Sequence, residues 1–384
     1  MKTGAGIYIH IPFCKKKCLY CDFFSGNIRI TDWSTYVSAL INEAKIRATE
    51  LKNKPKTLYI GGGTPSLLPI SHFETLIKEL SDIFDFTQIE EFTIEANPED
   101  IEQIKCKIWK DMGVNRISLG IQSFNEKELE LIGRDLKIST IEKSIETIQS
   151  QFDNLSLDLI FGLPSQTLES WTNTLEKTFE MHPHHVSAYS LMAEEGTALT
   201  WLVKQKKLNL PSEEEWVQMW QKLGKEIKNH GFKRYEVSNF SLPGFESKHN
   251  SSYWDGSPYL GLGPSAHSFD GKTTRKFNPH DIKGYISHYS SIDSGNLSNL
   301  TPFYKQENIT PEIAREEIIM TSLRTTKGLN LNKFKDIFGK DEMMGLIERS
   351  QKFLDAGEVI ISNDFLRIKE DSLLILDSIL CELI

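Results

Sequence analysis

The segment Ile11-Pro12-Phe13-Cys14-Lys15-Lys16-Lys17-Cys18-Leu19-Tyr20-Cys21-Asp22 decides how this chain is read. Cys14, Cys18 and Cys21 follow the spacing C-x₃-C-x₂-C, which lets three thiolates wrap one corner of an iron–sulfur cube. No fourth cysteine follows nearby, so one iron of a [4Fe–4S] cluster would be left without a protein ligand. Zinc fingers and ribbons use four ligands, commonly in two knuckles, and no second knuckle is present. An open iron implies a substrate or cofactor held on the metal. Three structural cysteines that merely cluster are the plain alternative. A metal-sensing or purely structural iron–sulfur protein would also account for them.

Outward from this loop, residues 6 to 190 alternate short apolar runs with amphipathic stretches. The runs 6–11, 57–61, 91–95, 116–120, 155–160 and 185–190 read as strands, and the stretches between them as helices. Val37, Leu40, Ile41, Ala44, Ala48 and Leu51 recur at helical steps, as do Ile101, Ile104, Ile108 and Met112 ahead of the stop signal Gly113. Six strand–helix alternations imply parallel strands with right-handed crossovers, an α/β fold in the form of a partial (β/α)₆ barrel. In such a fold chemistry gathers at the C-terminal ends of the strands. Cys14 follows the first run and Gly61-Gly62-Gly63-Thr64-Pro65 the second. Glu95 ends the third, Gln122 follows the fourth and Asp158 lies late in the fifth.

Three regions are expected: a barrel over 1–235, an aromatic and His-rich segment with a linker over 236–300, and a C-terminal unit over 301–384. Residues 285–310 are polar and read as the linker. From Thr310 come helical patterns, a hairpin over 358–369 and a terminal helix, the order of a small α+β, winged-helix-like domain. Its net charge of −4 over 300–384, and −9 for the whole 384-residue chain, argue against a nucleic-acid partner and favour a lid or docking role. No apolar run approaches the roughly 20 residues needed to span a bilayer, and no h-region precedes the cysteines. Five cysteines, three of them in one loop, fit a reducing cytoplasm. Cys106 and Cys381 are expected to pack inside.

Several residues carry a functional and a plain reading together. The triple glycine lets backbone approach a ligand closely, or simply forms a turn; no Gly-Lys-Ser/Thr follows to make a P-loop. Glu95, Gln122, Arg134 and Asp158 are single polar residues that could equally be solvated charges or caps. Tyr8 precedes the cysteine loop and Tyr20 sits directly before its third Cys, and either residue could stack on a ligand or pack against the barrel. Lys15, Lys16 and Lys17 lower thiolate pKa and attract an acidic electron donor, or serve solubility alone. His249-Asn250-Ser251-Ser252-Tyr253-Trp254 offers an axial iron ligand with aromatic walls for a flat macrocycle. His267 is less specific, a second porphyrin contact or a core residue.

With these motifs in view, the chain resembles the radical S-adenosylmethionine (radical SAM) family, and within it the proteins related to oxygen-independent coproporphyrinogen III oxidase. The resemblance runs over nearly the whole chain, through Ile94–Pro98, Gly120–Phe124, Ile132-Gly-Arg134, Leu157–Pro164 and Leu323–Leu329. It implies a [4Fe–4S] cluster on Cys14, Cys18 and Cys21, with S-adenosylmethionine chelating the open iron and cleaved to a 5′-deoxyadenosyl radical. It further implies S-adenosylmethionine contacts at Tyr8, Tyr20, Gly63, Thr64, Glu95, Gln122, Arg134 and Asp158. The family's usual His two residues after the Arg is Leu136 here. H-N-x-x-Y-W is the pattern of the radical SAM heme chaperones, which implies heme at His249, Asn250, Tyr253 and Trp254. The oxidases continue to C-x₃-C-x₂-C-x-C and carry an N-terminal extension, whereas Phe23 stands in the fourth Cys position and Cys14 comes almost at once. The expectation is therefore a heme chaperone, with coproporphyrinogen III decarboxylation as the alternative. Its implied partners are heme, a heme-acceptor protein with transient membrane-protein contact, and a flavodoxin- or ferredoxin-like electron donor. It would be a monomer or a cluster-dependent homodimer.

Overall fold

The computed structural model describes residues 4–27, 32–290 and 303–384. Six parallel strands lie side by side in chain order: β1 (Ala5–Ile11), β2 (Pro55–Gly62), β3 (Glu91–Ala96), β4 (Arg116–Gln122), β5 (Leu155–Phe161) and β6 (His185–Ser190). Each is followed by at least one helix, the principal ones being Trp33–Arg47, Ile70–Phe84, Gln103–Asp111, Ile138–Gln149, Leu168–Glu180 and Glu213–Asn229. The outward residues Ile7, Ile9, Leu58, Ile60, Ile94, Ile117, Leu119, Leu157 and Val186 form one apolar core with these helices. The six runs expected to be strands are all strands, longer than expected by no more than two residues at either end.

The sheet extends beyond the six. Tyr259–Leu262 adds a seventh parallel strand beside β1, and His267–Phe269, Thr274–Phe277 and Lys305–Asn308 continue it antiparallel. The three of these strands that fall within 236–290 thus lie in the same sheet as the six. The expected linker is in part a helix (Ile282–Ser290) and in part a strand (Lys305–Asn308), and its remainder, 291–302, lies outside the described residues. Residues 319–383 carry a second core, built from helices and the three-stranded sheet of Leu329–Asn330, Phe365–Ile368 and Val359–Ser362.

Two expectations about packing fail. In Gln103–Asp111 the buried side chains are Cys106 and Trp109, while Ile104 is 68% exposed. The isoleucines alone gave the wrong phase because the larger Trp109 ring chooses the face. Cys381 is exposed, although its helix buries Leu376, Ile379, Leu380 and Leu383.

The inward-facing residues are predominantly polar. Tyr8 and His10 of β1, Thr57 and Tyr59 of β2, and Glu91, Thr93 and Glu95 of β3 alternate with the outward apolar set. Arg116, Ser118 and Gln122 of β4, Ser156 and Asp158 of β5, and His185, Ser187 and Tyr189 of β6 complete the lumen. The helix Lys248–Trp254 closes its lower mouth, at the N-terminal ends of the strands. Glu91 holds that helix by its first turn: its carboxylate accepts from Ser247 Oγ (3.3 Å), Lys248 N (2.7 Å) and His249 N (2.9 Å). Charge-assisted bonds at a buried helix start are among the stronger ones. Glu91→Ala should destabilise the fold by about 3 kcal/mol, read as a lower denaturant midpoint at unchanged slope. An unaltered midpoint would mean the plug is held by other contacts.

Candidate functional site at the upper mouth of the barrel

The upper mouth is assembled from strand ends and the cysteine loop. Backbone dictates the first contact: Gly63 N donates to Ile11 O at 2.9 Å. A Cβ at position 63 would stand 2.8 Å from Phe13 O, 2.9 Å from Phe13 N and 3.0 Å from Ile11 O, so only glycine admits this approach. Gly62 has φ +115°, and a Cβ there would meet the His10 ring at 2.6 Å. His10 itself binds the loop, its Nε2–H donating to Phe24 O at 3.1 Å. That assigns its Nδ1 as acceptor, and Tyr8 OH donates to it at 2.9 Å. Burial pushes His10 down to about 4, so it stays neutral.

Cys14, Cys18 and Cys21 are partly exposed and free of disulfides. Thr64 Oγ1 reaches Cys14 Sγ at 3.5 Å and accepts from Asn97 Nδ2 at 3.4 Å. Burial pushes the Cys18 thiol up and the Cys21 thiol to about 11. The lysines do not reverse this: Lys17 only partly offsets burial at Cys21, and Lys15 turns to Asp100 at 2.5 Å. Thiolate character here therefore depends on a bound metal. Among the described residues no three Cys, His, Asp or Glu side chains gather at the spacing of a single metal ion. A cubane does not need that spacing, since each thiolate serves a different iron, and three free thiols on one loop fit it.

Beside the loop lies a shelf of strand-end polar groups. Glu95 accepts from Tyr59 OH (2.8 Å) and Gly62 N (3.0 Å). Arg134 donates to Gly120 O (2.8 Å) and Asn97 Oδ1 (2.7 Å), which fixes its guanidinium and leaves further N–H groups for a carboxylate. A register shift between Gly120 and Gln122, with Gln122 at φ +65°, turns that side chain to the mouth. Its Nε2 donates to Tyr20 OH at 3.2 Å, while its buried Oε1 has no partner. An enclosed acceptor in want of a donor fits an adenosyl amine or hydroxyl. Leu136, where a His was expected by resemblance, is buried in the core. Asn97 was not singled out in the sequence, although it ties Thr64 to Arg134. Its position two residues beyond Glu95 was the available signal.

Asp158 lies deeper, accepting from Ser118 Oγ (2.8 Å) and Ser156 Oγ (3.1 Å). His185 Nδ1–H in turn donates to Ser156 Oγ (2.8 Å), and its Nε2 accepts from Tyr235 OH (2.8 Å). Tyr235 OH accepts from Ser247 N (3.3 Å), so one hydrogen-bonded chain joins the lower plug to Asp158.

His249 is not at this mouth. It is fully buried at the opposite end, its Nδ1 bonded to Thr57 Oγ1 and its Nε2 to Tyr253 OH, both at 2.8 Å. In this conformation neither nitrogen is open to an iron. Burial holds it neutral, down at about 3. Its ring stacks on Tyr59, and Tyr253 stands edge-on to Tyr259. Asn250 and Trp254 are half-buried on the same short helix, and His267 is exposed against Phe277.

Burial pushes the Glu95 carboxyl up to about 7, against the hydrogen bonds from Tyr59 and Gly62. An acid with folded pKa above its unfolded value of about 4.3 stabilises the fold below that value, and the contribution is lost as pH rises toward 7. The melting temperature of wild type relative to Glu95→Gln should therefore fall between about pH 4.5 and pH 7. A gap constant over that range would contradict this placement of the carboxyl.

Comparison with known proteins agrees with this geometry. The radical SAM superfamily model matches residues 8–178. The heme chaperone HemW of Bacillus subtilis is 36% identical over 337 residues, covering 87% of this chain and 86% of its own length. HemW of Lactococcus lactis is 36% identical over 333 residues, 86% of this chain and 84% of its own. Among solved structures, the coproporphyrinogen III oxidase HemN of Escherichia coli superposes with a TM-score of 0.83, covering 99% of this chain and 90% of that one. At 23% identity that likeness is one of fold. With a cysteine loop, a glycine shelf and a polar lumen in that arrangement, the chain belongs to the radical SAM superfamily and, within it, to the family of the HemW heme chaperones.

Proposed function

We propose that this protein binds heme and passes it to an acceptor protein, using a barrel that also holds a [4Fe–4S] cluster and S-adenosylmethionine. The observation that carries the reading is the match, over most of both chains, to proteins named as heme chaperones. Phe23, 65% exposed where the oxidases carry a further cysteine, supports it over coproporphyrinogen III oxidation. In this reading Cys14, Cys18 and Cys21 hold the cluster. Gly63, Thr64, Glu95, Gln122, Arg134 and Asp158 line the S-adenosylmethionine site, with Tyr8 and Tyr20 as its aromatic neighbours. When bound to a reduced cluster, that cofactor supplies radical chemistry. The chain's own part is to fix the methionyl carboxylate with Arg134, to accept from the ligand with Glu95 and Gln122 Oε1, and to line the lumen.

Heme is assigned to the His249-Asn250-Ser251-Ser252-Tyr253-Trp254 segment. Access to His249 then requires the Lys248–Trp254 helix to leave its seat, breaking its bonds to Glu91 and freeing His249 from Thr57. An electron donor of flavodoxin or ferredoxin type would act at the cluster face, and cluster formation could pair two copies. No helix among the described residues is long and apolar enough to cross a membrane. The acidic balance of the chain speaks against nucleic acid and, with its free cysteines, suits the cytoplasm.

Cys18→Ala should abolish the visible absorbance of the reconstituted cluster, and a retained [4Fe–4S] spectrum would remove Cys18 from the ligand set. His249→Ala should weaken heme binding at least tenfold, the loss of about 1.4 kcal/mol, with cluster absorbance intact. Equal loss of both would assign His249 to the fold. The function itself is tested anaerobically, with reconstituted protein, S-adenosylmethionine, a reductant and coproporphyrinogen III. Heme binding without multiple turnover is expected, and sustained decarboxylation would make the protein the oxidase.

A further inference from the structure

Asp100 closes the short turn that follows β3, and only 4% of its side chain is exposed. Its two oxygens serve different segments. Oδ1 accepts from Lys15 Nζ of the cysteine loop at 2.5 Å, and Oδ2 accepts from Ser66 Oγ, just past the triple glycine, at 2.9 Å. Ser66 Oγ in turn accepts from Asn97 N at 3.2 Å. Lys105 Nζ donates to the carbonyls of Ser66 (3.0 Å) and Asp100 (3.1 Å), so a second cation ties the same two segments through their backbone.

These bonds continue those at the shelf. Asn97 joins Thr64 to Arg134, and Thr64 Oγ1 reaches Cys14 Sγ. A closed circuit therefore runs Cys14–Thr64–Asn97–Ser66–Asp100–Lys15, and Lys15 is the chain neighbour of Cys14. Arg134 is attached to it at Asn97. Lys17 takes no part, since its Nζ donates to Phe23 O. The lysine end of the Lys15–Asp100 pair is 59% exposed, and a surface ion pair is its plain reading. The carboxylate end is enclosed, however, and without Lys15 it would keep Ser66 Oγ as its side-chain donor at the cost of burying an unpaired charge. The loop lysine is thus brought to a carboxylate that the fold holds in place.

We infer that Asp100 is a positioning residue: through Lys15 and Ser66 it sets the spacing between the cysteine loop and Arg134, the group that receives the methionyl carboxylate. S-adenosylmethionine must reach the open iron and Arg134 together, so an error in that spacing weakens its binding without removing a cluster ligand. The inference rests on the cluster and S-adenosylmethionine reading and refines it.

The test measures S-adenosylmethionine affinity by equilibrium dialysis on the cluster-reconstituted full chain, with iron content and melting temperature read on the same samples. Asp100→Asn keeps the side chain's size but leaves one acceptor for two donors. It should bind S-adenosylmethionine about fivefold more weakly at full iron content, the scale of a half-solvated ion pair. Lys15→Met should match it, and Lys15→Arg should keep wild-type affinity. The double variant Lys15→Met with Asp100→Asn should be no weaker than either single one, because both remove the same contact. Additive losses would mean that Lys15 acts by its charge alone, and they overturn the inference. So does wild-type affinity in Asp100→Asn. Ser66→Ala breaks the circuit at another bond, should lower affinity about threefold, and serves if Asp100→Asn fails to fold. Loss of iron in step with affinity, in folded variants, would assign Asp100 to the loop alone and also overturns the inference. If wild type takes up iron yet binds no S-adenosylmethionine, the cofactor reading falls and the inference with it.

Discussion

The upper mouth depends on how closely two strand ends approach. Gly63 donates to Ile11 O and lies against the backbone of Phe13, so the shelf after β2 and the loop that begins at Cys14 are one unit. A side chain at 63 would push three backbone atoms outward and separate the cysteines from Thr64, Glu95 and Arg134. His10 adds a second tie, gripping Phe24 beyond the last cysteine while its ring fills the space under Gly62. The cluster loop is therefore tied at both ends to β1.

The second constraint is the polarity of the lumen. A packed barrel core is ordinarily branched and apolar, yet here the inner face carries carboxylates, imidazoles, tyrosines and a guanidinium. Such a lining is costly unless its hydrogen bonds are met. Most are met within the lumen, along chains such as Ser247–Tyr235–His185–Ser156–Asp158. The exceptions include Gln122 Oε1, Thr93 Oγ1 and two Arg116 nitrogens, with Asn239 Oδ1 and Ser241 Oγ on the strand beside β6. Glu91 closes the lower end by holding a helix whose imidazole points inward. The barrel is thus a polar chamber with the cysteine loop at its upper mouth and the Lys248–Trp254 helix as its floor.

Much of this was legible in the sequence, because parallel strands buried on their outer faces leave apolar runs that alternate with helix periods. All six strands and the positions of Cys14, Gly63, Glu95, Gln122 and Asp158 at or near their ends follow from that pattern. The seventh strand was not legible: Tyr259-Leu-Gly-Leu262 is short and glycine-bearing, and its glycine is demanded by His267 of the neighbouring strand. Neither was the seat of His249. A His among Asn, Tyr and Trp reads as an open ligand, and only Glu91, 158 residues earlier, reveals that the segment is drawn into the barrel. Long-range capping of this kind leaves no local signature.

The central claim is that three cysteines hold a cluster whose fourth iron meets S-adenosylmethionine on the Gly63–Arg134 shelf. Electron paramagnetic resonance of the dithionite-reduced cluster, recorded with and without S-adenosylmethionine, tests it most directly. The spectrum should change its g-values when the cofactor is added, and Glu95→Gln with Arg134→Gln should suppress that change while leaving the cluster reducible. A reduced [4Fe–4S] signal in wild type that S-adenosylmethionine leaves unmoved would contradict the account.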